Sequence, residues 1–255
     1  MIPKFLEAAD GRRIAYHHTE GSGPTVVFLG GFRSDMSGTK ALFLEDWARK
    51  KGIGFLRFDY TGHGASSGKF EEGSIGDWAR DAEETIIQLT SGSRILVGSS
   101  MGGWISLLVA SRLGTSIAAI VGIAAAPDFT EDAMVANFTN QQRLDLEALG
   151  HVDVPSDYSD EPYRITRRLI EDGRNNLVLR TPLQLSFPVR LLHGSEDNDV
   201  PLSVALRLLG HATGPDLRLT IVKGADHRFS EPENLALLAD TLESLLTDCP
   251  PGKQG

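Results

Sequence analysis

An α/β fold, with a mostly parallel central sheet covered by helices on both faces, is what this sequence predicts, and three observations carry the prediction. Short apolar runs rich in β-branched residues recur along the chain, and the longer segments between them show helical periodicity. The length of 255 residues suits a single domain, 1–255, built on one sheet with an insertion.

The elements follow in order. Residues 5–18, FLEAADGRRIAYHH, read as a hairpin turning at Asp10 and Gly11. Strands are expected at TVVFL (25–29), GFLRF (54–58), RILV (94–97), IAAIVGIAA (117–125), VRLLH (189–193) and LRLTIV (217–222). Between them, SIGDWARDAEETIIQL (74–89) places Trp78, Ala82, Ile86 and Leu89 at helical spacing, and PENLALLADTLESLL (232–246) does the same. Both helices should pack on the sheet. Residues 129–187 break the rhythm and carry few strand signals, so a helical lid insertion above the sheet edge is expected there. Its apolar residues Met134, Val135, Phe138, Leu144 and Leu146 are read mainly as helix packing.

Composition narrows the function. Apolar residues at 41% and charged residues at 23% are ordinary globular values. A formal net charge of -9 disfavours nucleic acid, whose phosphates the average field would repel. No segment is long and apolar enough to span a bilayer, and the N-terminal residues carry no leader pattern, so a cytoplasmic location is expected. Cys249 is the single cysteine, which excludes an intrachain disulfide and places the thiol in a Pro- and Gly-rich tail.

Chemistry concentrates at RILVGSSMGGW, residues 94–104. A serine hydroxyl attacks a carbonyl at neutral pH only when a base takes its proton and the side chain stands clear of the backbone. A tight strand-to-helix turn provides the clearance, but it tolerates only small residues two before and two after the serine. Ser100 has Gly98 and Gly102 there, whereas Ser99 has Val97 and Met101. The flanking ILV run and the Pro-free MGGWISLLVASRL segment supply the strand and helix that the turn requires.

The base should hang beyond a late strand, at the sheet edge where the serine emerges. His227 does so, between LRLTIVKGAD and the C-terminal helix. His17 and His18 belong to the hairpin and His211 to a helix end. His151 lies in the insertion, and His193 is read as shaping the loop beside Gly194. For the acid that orients the imidazole, Glu196, Asp197 and Asp199 lie just past a strand, and Asp128 ends another; spacing leaves the choice open. Backbone N–H groups that would hold a developing oxyanion are expected from Met101, after the serine, and Phe32, after the paired glycines of FLGGFRSDMSG.

These blocks, LGGF, RFDYTGHGASSG, GSSMGG and HGSEDNDVP followed by GADHRFS, occur in the order found in the α/β-hydrolase superfamily, which the chain resembles over nearly its whole length. The resemblance implies that fold, a Ser-His-Asp triad, and an acid at the Asp of an H-G-x-x-D-x-x-V-P pattern, which is Asp197 here. Within the superfamily the chain is most similar to a subgroup of mitochondrial acyl-glucuronide esterases and protein S-depalmitoylases. The absence of a transit peptide argues against carrying over their address. Gly30 also stands where many relatives have His in the loop after the early strand.

The expected activity is therefore hydrolysis of a small-molecule acyl ester or thioester, with Ser100 as nucleophile, His227 as base and Asp197 as acid. No cofactor or metal is expected: H-E-x-x-H and P-loop patterns are missing, and GHGASSG has Ser67 where a third dinucleotide-binding glycine would fall. An amidase or peptidase would use the same triad, and a ligand-binding member of the fold would not turn over substrate. Arg164 and Arg168, read as four apart on one helix, share a face that is either solvated or set to meet a substrate carboxylate; Arg33, beside the oxyanion loop, is a further candidate for that partner.

Overall fold

The computed structural model describes residues 2–8, 10–155 and 162–248, so Cys249 lies outside the described residues. The N-terminal hairpin forms from β1 (Lys4–Glu7) and β2 (Arg13–Thr19), antiparallel, with Leu6 opposite Ile14. The chain then runs through β3 (Ser22–Leu29), α1 (Thr39–Lys51), β4 (Ile53–Phe58), α2 (Ile75–Leu89), β5 (Arg94–Ser99), α3 (Met101–Leu113) and β6 (Ile117–Ile123). The next segment contains α4 (Asn140–Leu149), β7 (His151–Val154), β8 (Tyr163–Thr166), α5 (Arg167–Asn175) and β9 (Leu183–Gln184). It returns through β10 (Val189–Gly194), α6 (Leu202–His211), β11 (Ala212–Thr213), β12 (Leu217–Val222) and α7 (Pro232–Asp248).

One sheet has the order β1-β2-β4-β3-β5-β6-β10-β12. From β4 to β12 the neighbours are parallel, and β2 is antiparallel to both β1 and β4. Val26, Val27, Leu56, Ile95, Leu96 and Val97 have no exposed surface because the sheet is covered twice. Strands buried on both faces need apolar side chains in both directions, which is why they read as continuous runs. Trp78 and Ile86 of α2 and Trp104 and Ile105 of α3 fill one layer; Leu44 and Trp47 of α1 join Leu238 and Leu242 of α7 in the other.

The order β4-β3-β5 sets the position of the site. The chain leaves β3 for β4 on one side, while β5 lies on the other side of β3. Outgoing loops diverge there and leave a crevice at the carboxyl ends of the strands. The loop after β3 and the turn after β5 meet in that crevice.

The segment between β6 and β10 contains the expected helices and, in addition, an antiparallel pair, β7 with β8. Asp128 fixes its start: fully buried at φ 59°, its carboxylate accepts the Val178 N–H at 2.8 Å and the Leu179 N–H at 3.0 Å. Asp172 accepts the Gly76 N–H at 2.6 Å, and the Trp104 indole donates to the Asn176 carbonyl at 2.9 Å. Val135 and Phe138 are buried and Met134 and Leu146 are packed against the core, but Leu144 is 57% exposed.

One expectation is corrected in this segment. Arg164 sits in β8, outside the helix that carries Arg168. Thr166 ends the extended run by accepting the Leu169 N–H on its side chain at 3.2 Å, so α5 starts at Arg167. Arg164 pairs with Asp153 at 2.9 Å and Arg168 with Asp77 at 2.6 Å, both on exposed surface. The supposed common face does not form.

Candidate active site

Ser100 occupies the turn between β5 and α3 at φ 54° and ψ -118°. A side-chain-bearing residue is strained there, and such strain persists only where the surroundings enforce it. Enforcement comes from backbone on both sides. The Ser100 N–H donates to the Ile123 carbonyl at 2.9 Å, and the Ser100 carbonyl accepts from Gly103 at 2.9 Å and Ala126 at 3.0 Å. The glycines are required by contact: a Cβ on Gly98 would lie 2.3 Å from the Gly102 carbonyl oxygen, and one on Gly102 would lie 2.1 Å from the Leu29 oxygen. Ser99, by contrast, is the buried last residue of β5.

The two strands beyond β6, β10 and β12, bring up the partners. His227 follows β12, and its Nδ1 lies 2.9 Å from Asp197 Oδ2, on the loop after β10. Asp197 Oδ1 accepts the N–H groups of Asp199 at 3.0 Å and Val200 at 2.8 Å. Burial pushes the Asp197 carboxyl up, but the His227 and Val200 hydrogen bonds outweigh it and hold the group below its ordinary value. A carboxylate can only accept, so Nδ1 carries a hydrogen, which in the neutral tautomer puts the lone pair on Nε2. Ser100 and His227 line one cleft.

The remaining candidates take other roles. His193 is buried, with Nε2 2.9 Å from the Val200 carbonyl and 3.5 Å from Asp197 Oδ2, so it contacts the loop that carries Asp197. Asp128 is committed to the Val178 and Leu179 N–H groups and to Arg180. Glu196 is exposed. Asp197, Asp199 and His227 bring ligand-type atoms within 4.8 Å of one another. Asp197 and His227 of that group are hydrogen-bonded to each other, which orients the imidazole.

Met101 opens α3, whose first-turn N–H groups have no intrahelical acceptor. Phe32 follows Gly31, where an added Cβ would sit 3.4 Å from Ser100 Cβ, so this loop abuts the elbow directly. The Phe32 ring is wedged edge-on against Phe70, Phe129 and Tyr163, with centroids 4.8, 5.6 and 6.2 Å away. Arg33 stacks over Phe70 at 4.7 Å and lies 3.6 Å from Glu71.

One residue of this shell escapes a reading of the sequence. His63, buried in the GHG turn after β4, receives the Arg33 N–H on Nε2 at 3.3 Å. A histidine between two glycines carries no periodic signal. The available cue is positional: its loop leaves β4, the strand beside β3, at the same sheet edge.

The cleft has a volume of about 910 Å³, near the upper end of the ~300–1,000 Å³ common for ligand pockets. Phe28, Phe129, Met134, Leu179 and Val204 give it apolar walls, while Lys40 and Arg207 lie among its polar lining. Lys40 donates to the carbonyl of Arg228, the residue after His227, and burial lowers its pKa to about 8.

Comparison with known proteins places this geometry. Residues 26–240 match the model of the alpha/beta hydrolase family. The bovine protein named palmitoyl-protein thioesterase ABHD10, mitochondrial, is 35% identical over 246 residues, covering 95% of this chain and 79% of that one. The mouse alpha/beta hydrolase domain-containing protein 10 superposes with a TM-score of 0.91 at 31% identity, over 98% of this chain and 100% of that one. A crystal structure from Agrobacterium vitis S4 also gives a TM-score of 0.91, at 38% identity over 96% and 98% of the two chains. The mitochondrial relatives overturn the expectation of a cytoplasmic location. That expectation draws on hydropathy and the N-terminal residues, and a targeting leader is separate from the domain that folds and acts. The family match and the whole-chain likeness to its members establish that the chain belongs to the alpha/beta hydrolase family.

Proposed function

We propose that the protein is a serine hydrolase that cleaves carboxylic esters or thioesters through an acyl-enzyme on Ser100. The observation that carries this reading is the His227–Asp197 hydrogen bond of 2.9 Å at the cleft that Ser100 shares. In this mechanism His227 Nε2 takes the Ser100 proton as Oγ attacks the acyl carbon, and Asp197 stabilises the imidazolium. The Met101 and Phe32 N–H groups hold the oxyanion. His227 then protonates the departing alkoxide or thiolate. Water enters, loses its proton to His227 and releases the acid. All of these steps lie within the 255-residue domain, with the 129–187 segment as its lid.

A thioester fits the relatives named palmitoyl-protein thioesterases, and the apolar walls of the cleft suit an acyl chain. Matched ester, thioester and amide substrates carrying a graded acyl-chain series test the assignment. Ser100→Ala should abolish turnover while circular dichroism stays unchanged. Retained turnover in that variant, or faster cleavage of amides than thioesters, would contradict it.

A further inference from the structure

We propose that His63 is a positioning residue that sets the backbone of the oxyanion loop through the Arg33 N–H, and so aims the neighbouring Phe32 N–H at the reacting oxygen. The inference rests on the preceding reading of Ser100 and Phe32.

The geometry fixes the ring's chemistry. Arg33 N–H can only donate, so His63 Nε2, 3.3 Å away, must accept. His63 Nδ1 lies 3.3 Å from the Thr61 carbonyl, which can only accept, so Nδ1 carries the hydrogen. Both ring nitrogens are thereby assigned in the neutral form. Burial keeps it neutral, lowering the pKa to about 4, with the Arg33 charge acting in the same direction. The ring is held by Tyr60, Phe70 and Trp78, with centroids 5.5, 5.1 and 5.0 Å away.

The loop needs such a hold. Arg33 sits at φ 56°, a left-handed conformation that costs a non-glycine residue energy, and Gly30 and Gly31 before it have no side chains to lock their backbone. The Ser34 hydroxyl closes the turn on the Gly31 carbonyl at 2.8 Å. The far end of the loop is tied to the same segment that carries His63: the Met36 N–H donates to Asp59 Oδ1 at 2.6 Å, and Arg57 donates to the Met36 carbonyl at 2.8 Å. Asp59 Oδ2 in turn accepts the Ala65 N–H at 2.8 Å, two residues past His63. The end of β4 and the turn after it thus grip the oxyanion loop at both ends, and His63 holds the end beside the serine.

The test compares His63→Asn with His63→Gln. An Asn carbonyl or amide reproduces the reach of Nδ1 and loses Arg33, whereas Gln reaches the Nε2 position and keeps an acceptor there. Rates are taken per active site, counted by the end point of fluorophosphonate labelling, so that a misfolded fraction does not enter. His63→Asn should lower kcat by about tenfold or more with KM within about threefold, and should weaken a trifluoromethyl ketone inhibitor by the same factor as kcat/KM falls. His63→Gln should restore most of both. In the unmodified protein, ¹⁵N NMR of the imidazole should show a protonated Nδ1 and an accepting Nε2. Wild-type kcat in His63→Asn, equal impairment of both variants, or an Nε2-protonated ring would overturn the proposal while leaving Ser100 in place. Failure of fluorophosphonate to label Ser100 in the unmodified protein would instead remove the reading beneath it, and the proposal with it.

Discussion

Two adjacent serines differ in what the backbone does to them. Ser99 completes a strand, while Ser100 stands in a strained turn that two glycines make possible. The choice between them is legible in the sequence because it is steric, and sterics depend on residue size at fixed spacing. The proposed acid is harder to read. Asp197 and Asp199 lie two apart in one exposed-looking loop, and only the fold shows that the Asp197 side chain is buried and bonded to His227. Asp197→Asn should lower kcat by about 10³- to 10⁴-fold, because an amide at that position can stabilise the wrong imidazole tautomer. Steady-state ester hydrolysis measures this loss; a change of less than about tenfold would point to a different orienting acid.

At the level of elements, the parallel strands are legible because they are buried on both faces, and the elbow because strand, glycine and helix signals coincide. The segment between β6 and β10 is less so. Its strands β7 and β8 have 4 residues each, too few to show alternation, and α4 buries none of its residues. The misplacement of Arg164 on a helix has the same origin: YRIT is short, and its terminal Thr166 signals the next element as an N-cap. Two substitutions test how these elements are locked. Gly98→Ala drives a methyl group into the Gly102 carbonyl at 2.3 Å, where the obstacle is backbone. It should destabilise the protein by about 3 kcal/mol or more and abolish activity. Asp128→Ala strands the Val178 and Leu179 N–H groups inside the fold, which should cost about 2–4 kcal/mol in urea denaturation. A loss under about 0.5 kcal/mol would show that the segment is anchored elsewhere.

For the molecule as a whole, strand order brings separate loops together into one candidate site. Loops after β3, β5, β10 and β12 supply Phe32, Ser100, Asp197 and His227, and the β4-β3-β5 reversal opens the crevice that Phe32, Ser100 and His227 line. The buried, neutral His63 couples that site to global stability. Its pKa is about 4 in the folded protein against an ordinary value of 6.5, so the unfolded chain takes up the proton first as pH falls. Stability from this group is complete above the unfolded value and is lost progressively as pH drops through the window from 6.5 to about 4. At pH 5 the loss amounts to roughly 2 kcal/mol. Urea midpoints at pH 7 and pH 5 should therefore converge in His63→Gln relative to the unmodified chain; an equal drop in both would contradict a buried neutral imidazole.

The central claim, that Ser100 forms a covalent acyl-enzyme, is tested most directly by rapid quenching after mixing with an activated acyl ester, followed by mass spectrometry of the intact chain and its peptides. The account predicts one acyl group per chain, located on Ser100 and absent in Ser100→Ala. An adduct on Ser99 or on Lys40, or turnover that persists in Ser100→Ala, would contradict it.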